Sequence, residues 1–200
     1  MNKQLFTAAA VCAVSLALAA VSFGQWKTKE HFPEVSIKNF GQMDSRFYRG
    51  GQPEKEEFKV LAEMGIKTVV NLRNDPKDWE KELVESLGMR YVHIPMSDKK
   101  YPPEGAADEF LSVVSNPETG NFFVHCRGGK HRTGAMGAVY RFNNYGWNYD
   151  QVYEEMKDFD FYTFLWFYKP MKSFVKDYAE MKGLRDAPPA KIPSEVAVVK

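Results

Sequence analysis

The sequence VHCRGGKHRTG, which runs from Val124 to Gly134, decides the fold of this chain. The apolar residues that lead into Cys126 predict a strand over residues 121–125. A helix is predicted over residues 133–145, because Gly146 follows as a common helix stop. We name the stretch between them, residues 126–132, the cysteine loop. The sequence thus predicts a strand that ends at a thiol and a helix that begins shortly after it.

The cysteine loop has the composition of an anion-binding site. It holds two adjacent glycines and four basic side chains, those of Arg127, Lys130, His131 and Arg132. Glycine lets backbone N–H groups curl around an anion, and the start of the next helix adds further N–H groups and a positive dipole end. Arg132 can donate two parallel hydrogen bonds to one phosphate.

The same surroundings act on the thiol of Cys126. A free thiol has a pKa of about 8.5, and a helix N-terminus with adjacent cations lowers that pKa by several units. Cys126 is therefore predicted to be a thiolate at neutral pH and a nucleophile toward phosphorus. Thr133 can hydrogen-bond the sulfur and stabilise it as a leaving group.

Strands and helices alternate along the rest of the chain. Predicted strands cover residues 46–53 (with a closing turn), 66–73, 89–95 and 121–125. Predicted helices cover residues 53–65, 75–88, 102–116, 133–145, 148–159 and 161–183, with Asp75 as a possible cap of the second. This alternation predicts an α/β fold with a mostly parallel central sheet flanked by helices.

An aromatic run occupies residues 159–167. It could form a membrane-facing or ligand-binding patch, but runs of this kind more often pack in a core. Asp158 and Asp160 disfavour membrane insertion. We therefore predict that the run packs in the core.

The first 24 residues have the pattern of an export signal. Lys3 precedes an uncharged apolar run from Leu5 to Val21, and Ser22 to Gly24 offers small residues for cleavage. A retained membrane anchor is the alternative, which the short run and the lack of a stop-transfer pattern disfavour. Residues 1–24 are predicted to be a signal peptide, and the protein to be exported to a bacterial periplasm or secreted.

Charge and cysteine content narrow the function classes. The chain has 27 basic and 26 acidic residues, and loss of Lys3 with the signal would balance them. A neutral protein has no global field that favours nucleic acid, so no nucleic-acid partner is predicted. Loss of Cys12 would leave Cys126 as the single cysteine, which excludes an internal disulfide. Its thiol is then either an intermolecular link or a reactive group.

The pattern His125-Cys126-x-x-Gly129-x-x-Arg132-Thr133-Gly134 resembles the signature of the cysteine-dependent protein tyrosine phosphatase superfamily. The preceding stretches FYRGGQP, GIKTVVNLR and MRYVHIPMSD are similar to the compact dual-specificity branch, including its atypical plant, fungal and bacterial members. The resemblance covers residues 40–178 and implies a (phosphotyrosine protein phosphatase)-like fold. It also implies hydrolysis of phosphomonoesters without a metal or cofactor.

This resemblance implies roles for the residues of the loop. Cys126 would be the nucleophile, Arg132 would stabilise the transition state, and Thr133 would assist breakdown of the intermediate. His125 would orient the loop from behind. The phosphate would be bound by Arg127, Gly128, Gly129, Lys130, His131 and Arg132.

A general acid is also required, to protonate the leaving oxygen and later to activate water. The family places an aspartate on a loop well upstream of the cysteine, and YVHIPMSDKKYPPEG supplies Asp98 there. Asp75, Glu104 and Asp108 are weaker candidates.

The substrate is left open between a phosphorylated protein and an inositol phosphate or phosphoinositide. Arg127 and Lys130 of the cysteine loop flank the phosphate cradle, and extra cations suit a substrate with several phosphates. A sulfurtransferase is disfavoured by the loop length and by Thr133 and Gly134. An inactive phosphate-binding module is disfavoured because the loop is complete, and no Walker pattern for nucleotides exists.

These inferences divide the chain into four parts. A signal peptide is predicted at residues 1–24, an irregular lead-in at 25–40, the phosphatase domain at 41–184 and a loose Pro-rich tail at 185–200. No membrane span is predicted after the signal, and the sequence leaves the oligomeric state open.

Overall fold

The fold is seen in a computed structural model that describes residues 32–191. The predicted signal peptide and residues 192–200 lie outside the described residues. The strands are β1 Gly41–Gln42, β2 Phe47–Gly50, β3 Ile66–Arg73, β4 Arg90–Met96 and β5 Asn121–His125. The α-helices are α1 Lys55–Glu63, α2 Glu80–Ser86, α3 Ala106–Ser115, α4 His131–Tyr145, α5 Tyr149–Asp158 and α6 Lys169–Met181. Short 3-10 turns occur at Pro117–Thr119 and Trp166–Tyr168.

These strands form one sheet in the order β1-β2-β5-β3-β4. Neighbours from β2 to β4 pair in parallel, and only β1 is antiparallel to its neighbour β2. The prediction of a mostly parallel sheet is therefore confirmed. β5 lies in the middle of the sheet, so the cysteine loop emerges at its carboxyl edge, where open α/β sheets commonly bind ligands.

Two hydrophobic cores cover the two faces of the sheet. One face packs against α1 and α2 through residues that include Phe58, Leu61 and Phe123. The other packs against α3 to α6 through residues that include Phe122 and Val124. The alternation of Phe122 and Phe123 across β5 is the period-two pattern of a strand buried on both faces.

Helix α4 passes through the larger core and is buried along most of its length. Every residue from 131 to 142 is buried. Gly137 allows this packing, since a Cβ there would lie 3.1 Å from the methyl group of Met43. The position of α4, which follows the cysteine loop, is therefore set by its packing in the hydrophobic core.

Two predicted helices start at least five residues later than the sequence suggested. The helix predicted from residue 75 begins at Glu80, and Asp75 does not cap it because its carboxylate pairs with Arg73 at 2.8 Å. The helix predicted over 161–183 begins at Lys169, with Pro170 in its first turn. By contrast, α4 begins at His131, two residues before the predicted start.

The prediction that the aromatic run packs in the core is wrong for part of it. Phe159 and Phe161 are buried, but Phe164 and Trp166 are 79% and 75% exposed. The run therefore divides into a buried base and a surface segment, because the chain leaves α5 and turns outward before α6 begins.

The predicted lead-in and tail both pack on the domain where they are described. Residues 32–40 are irregular, but Val35 and Ile37 are buried in the smaller core. In the tail, Asn148 donates to the Ala187 carbonyl, and Gln151 exchanges two hydrogen bonds with the backbone of Ala190. The tail is thus not loose up to residue 190. Within residues 32–191, the structure has no helix both long enough and apolar enough to cross a bilayer.

Candidate active site

The backbone of the cysteine loop is shaped by a glycine in the left-handed region. Gly129 has a φ of +66°, and a Cβ at this position would lie 2.5 Å from the carbonyl carbon of Gly50. The turn after β2 therefore packs directly against the loop. Gln52 in that turn donates its backbone N–H to the carbonyl of Arg127 at 3.3 Å. Only glycine at position 129 permits this close backbone approach.

Cys126 begins the loop and is 3% exposed. Burial alone would raise the pKa of its thiol. The charge of Arg132, the hydroxyl of Thr133 and the backbone N–H groups of Thr133 and Gly128 outweigh burial and hold that pKa below its ordinary value. The geometry therefore favours the thiolate that the sequence predicts.

Arg132 is buried and fixed by the ends of two neighbouring strands. Its Nη1 donates to the Asn74 side chain at 3.0 Å and to the Met96 carbonyl at 3.1 Å. Its Nε is buried and has no hydrogen-bond partner among the described residues. One side of the guanidinium is thus held in place, and an N–H donor remains for an anion in the loop.

Thr133 follows directly and is fully buried. Its hydroxyl has no hydrogen-bond partner among the described residues, and it contributes to lowering the pKa of the Cys126 thiol. A hydroxyl in this position can stabilise negative charge on sulfur, and the role of Thr133 in breakdown of the intermediate stays a prediction.

His125 contacts a carboxylate that sequence analysis missed. Its Nε2 lies 2.9 Å from Oε1 of Glu80, and both side chains are 0% exposed. Glu80 also accepts from Asn71 at 2.9 Å and from Gln52 at 2.7 Å. Burial would raise the pKa of Glu80, but the hydrogen bonds from His125, Gln52 and Asn71 hold it below its ordinary value.

The Glu80 carboxylate is thus ionised at neutral pH, and His125 donates to it from Nε2. This pairing holds the imidazole in place, and the orienting role that the resemblance implies for His125 stays a prediction. A signal for Glu80 exists in the sequence, since it precedes the buried Val84 by one helical turn and so shares its face. Acidic residues near a helix start are usually solvated, so the sequence alone does not indicate that Glu80 is buried.

A second buried group supports the loop from below. Arg49 is 1% exposed, donates from Nη2 to the Gly129 carbonyl at 2.8 Å, and lies 3.9 Å from the centre of the Phe159 ring. Burial lowers its pKa to about 10, so it remains cationic at neutral pH. Asn39 donates to the same carbonyl at 2.9 Å and to that of Phe159 at 2.8 Å. Sequence analysis missed Arg49 and Asn39.

A cavity of about 330 Å³ opens above Cys126. Its lining combines the cysteine loop with residues from three other segments. The lining residues are Lys38, Asp98, Cys126, Arg127, Gly128, Lys130, His131, Arg132, Tyr162 and Tyr168. The predicted nucleophile, phosphate ligand and general acid therefore share one cavity.

Among the acid candidates, the structure favours Asp98. It is partly buried and lines the cavity. Asp75 is engaged with Arg73, while Glu104 and Asp108 are exposed and do not line the cavity. The roles of these residues nevertheless stay predictions, because position alone does not measure proton transfer.

The side chains of Lys130 and His131 contact the segment before α6 as well as the cavity. His131 Nε2 lies 2.8 Å from the Tyr162 carbonyl, and its ring stacks on Tyr168 with centroids 3.7 Å apart. Burial, with help from Lys130 and Arg132, lowers the pKa of His131. The neutral ring therefore donates from Nε2 to Tyr162. Lys130 Nζ lies 3.6 Å from the carboxylate of Asp160.

Among residues 32–191, no group of three or more His, Cys, Asp or Glu side chains is arranged to hold a metal ion.

Comparison with known proteins gives one family match. Residues 19–164, well over half of the chain, match the family model described as "DSP-PTPase phosphatase fused to NAD+ Kinase". The chain is 27% identical over 135 residues to "Probable tyrosine-protein phosphatase DG1060" of Dictyostelium discoideum, covering 64% of this chain and 78% of that protein.

Two further similarities point in the same direction. "Inositol diphosphatase SIW14" of Saccharomyces cerevisiae is 29% identical over 136 residues, which is 64% of this chain but 47% of the yeast protein. The crystal structure of Pseudomonas aeruginosa TpbA superposes with a TM-score of 0.59 at 26% identity, covering 75% of this chain and 89% of that one. The match thus spans most of the Dictyostelium protein and about half of the yeast protein.

Proposed function

The chain belongs to the family of DSP-PTPase phosphatases, and on that basis we propose that it hydrolyses phosphomonoesters through a phosphocysteine intermediate on Cys126. The predictions of this family and of its α/β fold are confirmed. The observation that carries the proposal is geometric: the buried thiol of Cys126 shares one cavity with Arg132, whose Nε has no hydrogen-bond partner among residues 32–191.

The reaction has two steps. In the first, the Cys126 thiolate attacks phosphorus, an S–P bond forms, and the P–O bond to the leaving group breaks. Asp98 in its acid form donates a proton to the departing oxygen, so an alcohol or phenol leaves. The resulting carboxylate of Asp98 is then ready to act as a base.

In the second step, water attacks the phosphocysteine. Asp98 takes a proton from the water, the S–P bond breaks, and the sulfur leaves as a thiolate. The Thr133 hydroxyl stabilises that leaving thiolate, and the products are inorganic phosphate and the regenerated enzyme. Arg132 and the loop N–H groups stabilise the charge on the transferring phosphoryl group in both steps.

We propose that the substrate is a phosphorylated protein. The enzyme would act on phosphotyrosine alone or, with dual specificity, also on phosphoserine and phosphothreonine. One relative is named a tyrosine-protein phosphatase and another an inositol diphosphatase, so the second candidate class of substrate is an inositol phosphate. Lys38, Arg127 and Lys130 around the cavity favour phosphate-rich substrates of either class.

We also propose that the chain is exported. The support is the pattern of residues 1–24, a charged start followed by an apolar run and small residues. Fractionation of the producing cells, with N-terminal sequencing of the purified protein, tests this. A cytosolic protein that retains residue 1 would reject the proposal.

Replacement of the nucleophile tests the proposed reaction. Wild-type protein should hydrolyse p-nitrophenyl phosphate in the presence of a chelator, and Cys126→Ser should reduce turnover by at least about 1,000-fold because a serine hydroxyl is not ionised at neutral pH. Tungstate, a phosphate-like oxyanion, should still raise the melting temperature of Cys126→Ser. Turnover that survives in this variant would overturn the assignment of Cys126.

A further inference from the structure

An exposed aromatic segment borders the mouth of the cavity. This aromatic segment comprises residues 162–168, between α5 and α6. Phe164 and Trp166 are the two most exposed large apolar side chains among the described residues, at 79% and 75%. Isolated exposed apolar residues are ordinary, but neighbouring ones beside a binding cavity often mark an interaction site.

The rings of this segment form a continuous path from the cavity to the surface. Tyr162 lines the cavity and lies 4.9 Å from Phe164 between ring centroids. Tyr168 also lines the cavity and lies 4.6 Å from Phe167, which lies 5.8 Å from Trp166. A molecule whose phosphate sits at Cys126 therefore meets aromatic surface as soon as it leaves the cavity.

The cysteine loop itself holds this segment in place. His131 stacks on Tyr168 and bonds the Tyr162 carbonyl, and Lys130 lies 5.1 Å from the Tyr162 ring. Phe161, directly before the segment, is buried in the larger core. The position of the exposed rings is thus set relative to the phosphate site.

We propose that Phe164 and Trp166 form a docking surface for an apolar side chain close to the phosphorylated residue of a protein substrate. This rests on the proposed function and narrows it, because it selects a protein over an inositol phosphate. An inositol phosphate is small and polar, so it would occupy the cavity and leave both rings in water.

A peptide reaches this surface easily. An extended chain advances about 3.3 Å per residue, so the second or third residue from the phosphorylated one lies about 7–10 Å away. Trp is among the residues that most often dominate protein interfaces, and aromatic rings provide large apolar contact areas. The peptide chemistry expected is an apolar side chain at such a position.

A lipid surface fits less well. Attraction to an anionic membrane rests on clustered basic residues. Lys38, Arg127 and Lys130 line the cavity, and Lys99 Nζ lies 5.2 Å from the Phe167 ring, but Asp98 lines the same cavity and Asp160 lies 3.6 Å from Lys130, which offsets part of that charge. We therefore assign the surface to a peptide and treat a phosphoinositide as the competing outcome.

The test compares substrates in the Phe164→Ser/Trp166→Ser double variant. For phosphotyrosyl peptides with Leu or Trp two or three residues from the phosphotyrosine, kcat/KM should fall about 10-fold, the value expected when a modest apolar contact of about 1.4 kcal/mol is lost. Peptides with Gly and Ser at those positions, and p-nitrophenyl phosphate, should change less than about 2-fold. Met181→Ser is the matched control, since it removes a 68% exposed apolar side chain at the end of α6.

Three results would overturn this proposal. Equal losses on p-nitrophenyl phosphate and on both peptide classes would show a damaged site rather than a lost contact. An unchanged double variant would show that the rings do not bind the peptide. A loss confined to phosphatidylinositol phosphate vesicles would assign the surface to a membrane. Failure of the wild-type protein to hydrolyse p-nitrophenyl phosphate would instead reject the proposed function itself.

Discussion

The two sides of the cysteine loop are built in opposite ways. Behind it, Glu80 and His125 are completely buried, and Glu80 accepts hydrogen bonds from three side chains. In front of it, Phe164 and Trp166 project into water from a segment that contains no α-helix. The same loop therefore lies between a closed polar network and an open aromatic surface.

The difference separates two tasks. The buried side fixes the backbone and holds His125 behind the cysteine, and a change there leaves a buried polar group without its partner. The open side contacts whatever carries the phosphate, and a change there costs little in the free energy of unfolding. Stability and thiol ionisation should follow the buried side, and substrate preference the open side.

The largest effect is expected for Gly129→Ala. The added Cβ would lie 2.5–2.7 Å from the backbone of Gly50 and Gly51, in a left-handed conformation. We expect a loss of about 2–4 kcal/mol in the free energy of unfolding, measured by urea denaturation. Gly128→Ala is the matched control, because its Cβ would meet only the Lys130 side chain at 3.8 Å. Similar stability of the two variants would contradict this account of the loop.

A smaller effect is expected for Glu80→Gln. The amide nitrogen of the new glutamine would face a donor of Gln52, Asn71 or His125, so one hydrogen bond is lost. In a buried site this lowers the free energy of unfolding by about 1–3 kcal/mol. Because the pKa of Glu80 is lowered on folding, its contribution is present above the ordinary value of 4.5 and is lost as pH falls through the folded pKa. The stability of the variant should therefore fall less steeply in acid than that of the wild type.

The Glu80→Gln variant also tests the link to the thiol. Because His125 is held less firmly in this variant, the pH midpoint of thiolate formation at Cys126 should rise. Absorbance at 240 nm measures this midpoint. Glu155→Gln is the matched control, since Glu155 is a buried carboxylate that accepts its hydrogen bonds from Arg141. An unchanged midpoint in Glu80→Gln would limit Glu80 to a structural role.

The smallest effect on stability is expected for Asp98→Asn on the open side. Asp98 is partly buried, and we expect a change of less than about 0.5 kcal/mol in unfolding. Its effect should appear in catalysis, where kcat falls more for an alkyl phosphate than for p-nitrophenyl phosphate, because a poor leaving group needs the proton more. Equal losses for both substrates would argue against Asp98 as the general acid.

The central features of the site were predictable because they are contiguous in the sequence. Cys126, Arg132 and Thr133 lie within eight residues, and the strand and helix around them have clear patterns. The parallel sheet followed from the alternation of strands and helices.

The supporting residues were not predictable, because their partners are distant in the sequence. Glu80 is 45 residues from His125, and Arg49 is 80 residues from Gly129. Each is an ordinary polar residue until the fold brings it to its partner. The aromatic run was misjudged for a related reason, since apolar composition predicts burial and does not show where the chain turns outward.

The segment before the first strand has a consequence for how the chain can be shortened. Asn39 bonds the Gly129 carbonyl and Lys38 lines the cavity, although both precede β1. Proteolytic trimming to residue 41 would leave every strand of the described sheet in place and remove both contacts. Such a trimmed protein would keep Cys126 and Arg132 but lose the hydrogen bond from Asn39 that anchors the loop between them.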